Sequence, residues 1–126
     1  MNIKQYLDST YLKTASQANL SETENTKIVQ DFIQEAIDED FKLVMIRPNQ
    51  VELAKKLITK ANSKVLIGTV IDFPNGNSDL DKKLAEAQEA INNHADELDF
   101  VINYEAFKNG EIELIKKEIL ACAQLG

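Results

Sequence analysis

The chain has 126 residues, of which 44% are hydrophobic and 28% are charged, an ordinary composition for a single soluble domain. Its net charge of −7 argues against nucleic acid and anionic membranes as partners, because both require clustered positive charge. A single cysteine excludes an internal disulfide and a thiolate zinc site, and neither a basic leader nor an apolar run of ~20 residues is visible, so we expect a cytoplasmic protein.

The first part of the chain alternates strand and helix signals. Residues 6–12 fit a short helix followed by a strand, and residues 43–46 form a compact apolar run that predicts a buried strand. In the segment between these two predicted strands, and again in the segment after the second, apolar residues recur on one helical face, which predicts a helix in each segment. Two residue pairs have the spacing of a helix N-cap signal: Ser21 with Glu24, and Asn49 with Glu52.

The second part continues the same alternation. Residues 65–71 are rich in β-branched side chains and predict the clearest strand, which runs into a loop at 72–77. Ser78 is expected to cap the next helix, and residues 98–102 predict another strand. A turn at 109–110 then precedes a last helix, for which the expected C-cap is the final glycine.

This order, β-α-β-α-β-α-β-α, indicates a parallel sheet with right-handed crossovers. Two folds share it. One is an open sheet of the flavodoxin type, which can be complete at about this length, and the other is half of a (β/α)₈ barrel, whose full size is ~250 residues. Order alone slightly favours the smaller, complete fold. The two differ in strand order, because a barrel adds strands one after another whereas a flavodoxin-like sheet places the first strand between the second and third.

Polar side chains gather where the predicted strands lead into helices, which is where both folds place their active sites. For each one alone, a solvated turn or a helix cap is the simpler explanation. The set comprises Asp8, Thr10, Lys13, Arg47, Asn49, Asp72, Asn75, Asn77, Asn103 and Tyr104.

Asp99 differs from this set because it lies inside the predicted strand 98–102. Alternation puts it on the face opposite Leu98 and Phe100, so it points to the inner side of the sheet if these apolar residues face the helices. A carboxylate there is costly unless it is paired or used, and parallel strands are normally apolar throughout. The residue pattern leaves a structural ion pair and a catalytic role equally open.

Other chemistry-bearing side chains are expected to be structural. His94, the only histidine, is predicted at a helix C-terminus, where a cation suits the helix dipole. Cys122 is expected to be a packing residue within a helix. A solvated helix start is expected for the charged residues Asp79, Asp81, Lys82 and Lys83.

Three segments together resemble the deoxyribose-phosphate aldolase family. Residues 7–13, Leu-Asp-Ser-Thr-Tyr-Leu-Lys, are similar to the opening Asp-x-Thr-x-Leu-Lys segment of that family. Residues 69–77 are similar to its Thr-Val-x-x-Phe-Pro-x-Gly segment, and residues 95–103 to its Ala-Asp-Glu-x-Asp-x-Val-x-Asn strand. The segments occur in the order and at the spacings of the family, and the resemblance spans nearly the whole chain.

The resemblance implies that residues 1–126 are the N-terminal half, about four βα units, of a (β/α)₈ barrel, with no second domain. It also implies a metal-free class I aldolase without a cofactor, which cleaves 2-deoxyribose 5-phosphate to glyceraldehyde 3-phosphate and acetaldehyde through a lysine Schiff base. On the same basis, Asp99 is the proton-relaying aspartate. The implied pocket residues are Asp8, Thr10, Leu12, Lys13, Met45, Val70 and Phe73.

The sequence departs from the family in several places. Asp72 stands where Gly or Asn is usual, and His94 replaces a common Gly. The Schiff-base segment Lys-Thr-Ser-Thr-Gly and the later Lys-x-Ser/Ala-Gly-Gly segment do not occur, and the phosphate site is expected after the last two barrel strands. Lys13 and Lys108 lie nearest to strand ends, but nothing in the sequence indicates that either is activated as a nucleophile.

The chain alone is therefore expected to be inactive. Two non-enzymatic interpretations stay open beside the aldolase. One is a half barrel that pairs with a second copy or with a missing C-terminal half. The other is a flavodoxin-like signalling domain.

Overall fold

The computed structural model describes residues 7–125 and contains the predicted alternation of strands and helices. The strands are β1 (Asp8–Tyr11), β2 (Leu43–Ile46), β3 (Leu66–Ile71) and β4 (Glu97–Phe100). The helices are α1 (Glu22–Asp38), α2 (Val51–Lys60), α3 (Leu80–Asn92), α4 (Tyr104–Lys108) and α5 (Ile112–Ala123), with a 3₁₀ turn at Pro48–Gln50 before α2. The short helix α4 was not predicted. The predicted strand start at Tyr6 and the expected C-cap at Gly126 lie outside the described residues.

The four strands form one parallel sheet in the order β1-β2-β3-β4. This order confirms the half-barrel prediction. The flavodoxin-like alternative is wrong, because that fold would place β1 between β2 and β3. The register puts Thr10 opposite Met45 and Met45 opposite Gly68, so these positions form a row on one face of the sheet.

The helices cover one face of this sheet. Val44, Ile46 and Ile67 of β2 and β3 are at most 1% exposed, and they pack with Val29 and Ile33 of α1 and with apolar residues of α2. Burying one such aliphatic side chain contributes roughly 1.5–3 kcal/mol. This cluster therefore secures α1 and α2 to the sheet and leaves the opposite face as the inner side of the half barrel.

Strand β4 is attached to β3 by a side chain as well as by the backbone. The N–H group of Asp96 donates to the Ile67 carbonyl at 2.7 Å, and the Asp96 carboxylate accepts from the Ile67 N–H at 2.9 Å. Leu98 and Phe100 then pack into a cluster with α3. Because these two residues face the helices, Asp99 between them lies on the inner face, as the alternation predicted.

Helix starts follow the sequence signals only in part. The capping box before α1 is confirmed, because the Ser21 hydroxyl accepts from Glu24 N–H at 3.1 Å and the Glu24 carboxylate accepts from Ser21 N–H at 2.9 Å. Asn49 does not cap α2, since it lies within the 3₁₀ turn. Ser78 does not cap α3 either, because Asp79 takes that place.

Two departures from the family fall where the backbone is left-handed. Asp72, which directly follows β3, has a φ of 58°, and His94, one residue beyond the end-cap of α3, has a φ of 75°. Glycine and asparagine tolerate this conformation best. This geometry suits the residues that are usual in the family, which are Gly at position 94 and Gly or Asn at position 72.

We expect Gly76→Ala to lower the free energy of unfolding by about 3 kcal/mol or more. Gly76 has a φ of 70°, and an added Cβ would collide with the Ile102 carbonyl oxygen and lie 2.7 Å from Val101 Cγ1. Gly110→Ala is the matched control, because Gly110 has a φ of 81° but no atom within 4 Å of the added Cβ. It should cost only about 1 kcal/mol of backbone strain. Urea unfolding measures both, and equal losses would contradict close packing of the β3–α3 loop on the segment after β4.

Candidate functional site

The inner face of the sheet has an apolar floor. Leu43, Met45 and Val70 are buried there, and Leu12 packs against them from the segment after β1. Gly68 leaves space for Met45, because a Cβ at that position would lie 2.7 Å from the Met45 Cε atom. The structure therefore brings together three of the predicted pocket residues, those at positions 12, 45 and 70.

The predicted pocket residues of β1 lie at different heights on this face. Thr10 is exposed and stands opposite Met45, at the edge of the apolar floor. Asp8 is the first residue of β1 and stands opposite Leu43, at the amino end of the sheet, so its placement at a strand end leading into a helix was wrong. Lys13 is exposed and lies beyond the end of β1.

Asp99 is exposed on the inner face, opposite Val70. Within residues 7–125 its carboxylate makes no hydrogen bond or ion pair. Strands β2 and β3 separate β4 from β1, and at ~4.8 Å per strand the two edges of a flat sheet would be ~14 Å apart. Asp99 accordingly makes no hydrogen bond with Asp8 or Thr10 of β1.

The inner face is acidic. Alternation places Asp8, Glu97 and Asp99 on it, and all three are exposed. In the part of the chain that the structure describes, no cation lies within 4 Å of any of them. Unneutralised carboxylates on a concave surface favour the approach of a cation, such as a lysine ammonium.

Arg47 connects the ends of three strands. It directly follows β2, and its Nε donates to the Leu12 carbonyl after β1 at 2.6 Å, while Nη2 donates to Gln17 Oε1 at 3.4 Å. Its guanidinium also lies 5.1 Å from the ring centroid of Phe73, after β3. The sequence marked Arg47 only as one polar strand-end residue. No local pattern could reveal its role, because Leu12 is 35 residues away along the chain.

Lys83 is buried, contrary to the expected solvated helix start. It lies in the first turns of α3 with 0% exposure, because the end of β4 and α5 close over this side of the helix. Its Nζ donates to Glu118 Oε1 at 2.7 Å and to the Val101 carbonyl at 2.8 Å. A carboxylate oxygen of Asp72 lies 3.7 Å from the same ammonium.

Cys122 lies next to this ion pair on α5 and is buried, as predicted for a packing residue. Burial raises the pKa of the Cys122 thiol, and the negative charge of Glu118 raises it further, while Lys83 partly opposes both. A thiol with a raised pKa holds less thiolate at neutral pH, which argues against a nucleophilic role.

Residues 7–125 contain no group of three side chains that could hold a metal ion. The candidate site thus consists of an apolar floor, a rim formed by Arg47 and Phe73, and the carboxylate of Asp99. These groups surround the carboxyl ends of β2, β3 and β4 on the inner face.

A parallel sheet in sequential order, covered by helices on one face and carrying its polar site at the strand ends, defines an α/β protein of the (β/α)-barrel class. The sequence matches the family model described as "DeoC/LacD family aldolase" over residues 5–125. The chain therefore belongs to the DeoC/LacD family of aldolases, which confirms the resemblance seen in the motifs.

The similar proteins agree with this placement. The chain is 40% identical over 119 residues to deoxyribose-phosphate aldolase of Metamycoplasma hominis, covering 94% of this chain and 50% of that protein. Among solved structures, the aldolase QR15 matches with a TM-score of 0.79 and 30% identity over 94% of this chain and 48% of its own. The deoxyribose phosphate aldolase of Aeropyrum pernix, described as a unique tetramer, matches with a TM-score of 0.77 and 25% identity over 98% and 47%. The chain spans about half the length of the relatives it matches.

We expect Arg47→Met to lower the free energy of unfolding by about 1–3 kcal/mol, because it removes a charged hydrogen bond to the Leu12 carbonyl and a cation–π contact with Phe73. Lys108→Met is the control, since Lys108 makes a cation–π contact with Tyr104 at 5.7 Å, and its side chain donates no hydrogen bond to the backbone of residues 7–125. It should change stability very little. Thermal unfolding of both variants measures the difference, and a loss no larger for Arg47 than for Lys108 would contradict the role given to Arg47.

Proposed function

We propose that this chain is the first half of a class I deoxyribose-phosphate aldolase, with residues 1–126 forming one half-barrel unit. The supporting observation is the exposed carboxylate of Asp99 on the inner face near the carboxyl end of β4, without a cation beside it among the described residues. A group in that position is available to move protons for a reaction at the barrel mouth. The family and the names of the similar proteins support the same choice of reaction.

The proposed reaction is the retro-aldol cleavage of 2-deoxyribose 5-phosphate. A lysine amine would condense with C1 of the open-chain sugar, with loss of water, to give a protonated Schiff base. Removal of the C3 hydroxyl proton then breaks the C2–C3 bond. The electron pair moves into the iminium, and glyceraldehyde 3-phosphate leaves. Protonation of the enamine at C2 and hydrolysis release acetaldehyde. Asp99 and a second lysine would move these protons.

This half would supply the pocket wall and the acid–base group. Leu12, Met45 and Val70 form the apolar floor, which excludes water and strengthens electrostatic interactions above it. Thr10 offers a hydroxyl at the edge of that floor, and Phe73 forms the rim under Arg47. Among the other proposed substrate-binding residues, Lys13 lies beyond β1, and Asp8 lies at the amino end of the sheet.

We further propose a C-terminal half barrel as the partner, in the same chain or in a separate one. An apolar groove of about 610 Å³ lies between β4 and α5, with Leu98, Phe100 and Ile119 in its lining. Within residues 7–125, β4 pairs with β3 alone. The next strand and helix of a barrel would pair with that edge and fill the groove. This partner would bring the Schiff-base lysine, the second lysine and the phosphate site.

A non-enzymatic half barrel is the second candidate. The side chains of Phe107, Ile119 and Leu120 on α4 and α5 are 54%, 51% and 64% exposed, which favours association through this side. A second copy of the chain could cover it. Sedimentation velocity of the chain with and without a C-terminal half distinguishes the two candidates. A dimer that persists and does not bind the C-terminal half supports the non-enzymatic candidate. A dimer that dissociates to form a complex with that half supports the aldolase.

We also propose a cytoplasmic location. The only cysteine, Cys122, is unpaired, which suits a reducing compartment. No helix in the described range is long and apolar enough to cross a membrane.

Joining this chain to the C-terminal half of the Metamycoplasma hominis aldolase allows Asp99 to be tested. We expect Asp99→Asn to leave the fold intact and to lower turnover by a factor on the order of 10² or more, because the amide cannot move a proton. Glu97→Gln is the matched control, since Glu97 lies exposed on the same face of the same strand. It should turn over normally. Near-normal turnover of the Asp99 variant, measured as glyceraldehyde 3-phosphate release, would remove Asp99 from the mechanism.

The chain alone should show no aldolase activity, because Asp99 can move a proton but cannot act as the electron sink that a Schiff base provides. The phosphate anchor would also be missing, so the binding energy that orients the substrate is lost. Borohydride trapping with 2-deoxyribose 5-phosphate, followed by mass spectrometry, tests this. A substrate adduct on Lys13 or Lys108, together with acetaldehyde release, would show that this half carries its own nucleophile.

A further inference from the structure

The buried ammonium of Lys83 has no part in the reaction proposed above. It is the largest fully buried side chain among the described residues, and it is held by Glu118, which is itself 5% exposed. An uncompensated charge in this position would be strongly unfavourable, so the ion pair has to be made for α3 and α5 to pack as they do.

The ammonium joins two segments that follow neighbouring strands. On one side, Asp72 lies 3.7 Å away, and its carboxylate holds the β3–α3 loop closed by accepting from Ser78 N–H at 2.9 Å and from the Ser78 hydroxyl at 2.7 Å. On the other side, Lys83 donates to the Val101 carbonyl. Val101 is two residues after Asp99, and Asp72 directly precedes Phe73.

Glu118 extends the contact to the next residues of the chain. The same oxygen that binds Lys83 accepts the Asn103 N–H at 3.0 Å, and the Asn103 side chain caps α4 by accepting from Ala106 N–H at 3.1 Å. Gly76 packs directly on the backbone of Ile102. The loop after β3 and the segment after β4 are thus held against each other around one charged group.

We propose that Lys83 is a positioning residue, which fixes the loop carrying Phe73 relative to the end of the strand carrying Asp99. Insofar as these two residues contact substrate, the inference rests on the aldolase proposed above. Apolar residues of similar volume can often replace a buried ion pair without loss of stability. Apolar residues cannot, however, reproduce directional hydrogen bonds. The Lys83 ammonium donates one such bond to the Val101 carbonyl and another to Glu118.

Amide hydrogen exchange on the 126-residue chain tests this directly. Lys83→Met alone leaves Glu118 buried without its cation and is expected to lose stability throughout. The paired variant Lys83→Met with Glu118→Gln removes both charges of the Lys83–Glu118 pair, but it keeps an oxygen that can accept the Asn103 N–H. In the paired variant we expect exchange at the Ser78 and Asn103 amides to rise at least tenfold.

Amides in the core of α1 and α2 should keep their wild-type exchange in that variant, which a general loss of stability would not allow. Lys82→Met is the matched control, because Lys82 is the exposed neighbour on the same turn, and it should change none of these rates. Wild-type exchange at both amides in the paired variant would overturn the positioning role. So would an equal rise at all amides.

The barrel joined to the C-terminal half tests the catalytic consequence. We expect the paired variant to lower kcat at least tenfold, with a smaller change in KM, and Lys82→Met to change neither. A kcat within twofold of wild type would overturn the catalytic part of the inference. If the wild-type joined barrel is itself inactive, the aldolase proposal fails, while the exchange rates still decide whether Lys83 positions the two segments.

Discussion

In-register hydrogen bonding between four parallel strands decides which side chains face the helices and which face the inner side of the half barrel. A slip of one residue would exchange the two faces of a strand. In β4 it would put Asp99 under α3 and move Leu98 and Phe100 to the acidic inner face. The double contact between Asp96 and Ile67 opposes such a slip, so this aspartate of the Ala-Asp-Glu motif has a structural role.

Two different kinds of interaction hold the core and the rim of the site. Under the helices, close-packed aliphatic side chains provide non-directional stability. At the strand ends, cations reach across the chain to backbone carbonyl oxygens: Arg47 to Leu12, and Lys83 to Val101. Because these bonds are directional and their donors are charged, they set the relative positions of loops that an apolar core alone would leave less defined.

On the inner face, the described residues carry an excess of negative charge. Among residues 7–125, no cation lies within 4 Å of the exposed carboxylates of Asp8, Glu97 and Asp99. Arg47 donates to the Leu12 carbonyl, and Lys83 is buried in an ion pair with Glu118. Within the described range, β4 pairs with β3 alone, and an apolar groove lies beside it. Both features would suit the C-terminal half barrel that we propose as the partner.

The sequence by itself determined the alternation of elements, the face on which Asp99 lies and the family, because these depend on local periodicity and on motifs of a few residues. It predicted the central parts of all four strands and the capping box of α1 for the same reason. The order of elements alone left the strand order open between two folds, since pairing between strands is not a local property, and the half barrel was predicted only through the family resemblance. The tertiary structure confirmed the sequential order of the barrel.

Only the tertiary structure decided the roles of Arg47 and Lys83. Their hydrogen-bond partners Leu12 and Glu118 each lie 35 residues away along the chain, and a lysine beside Asp79, Asp81 and Lys82 has the local appearance of a solvated helix start. Burial of a charge depends on what other elements place around it. For Lys83 those elements are the end of β4 and helix α5, which no pattern within α3 could indicate.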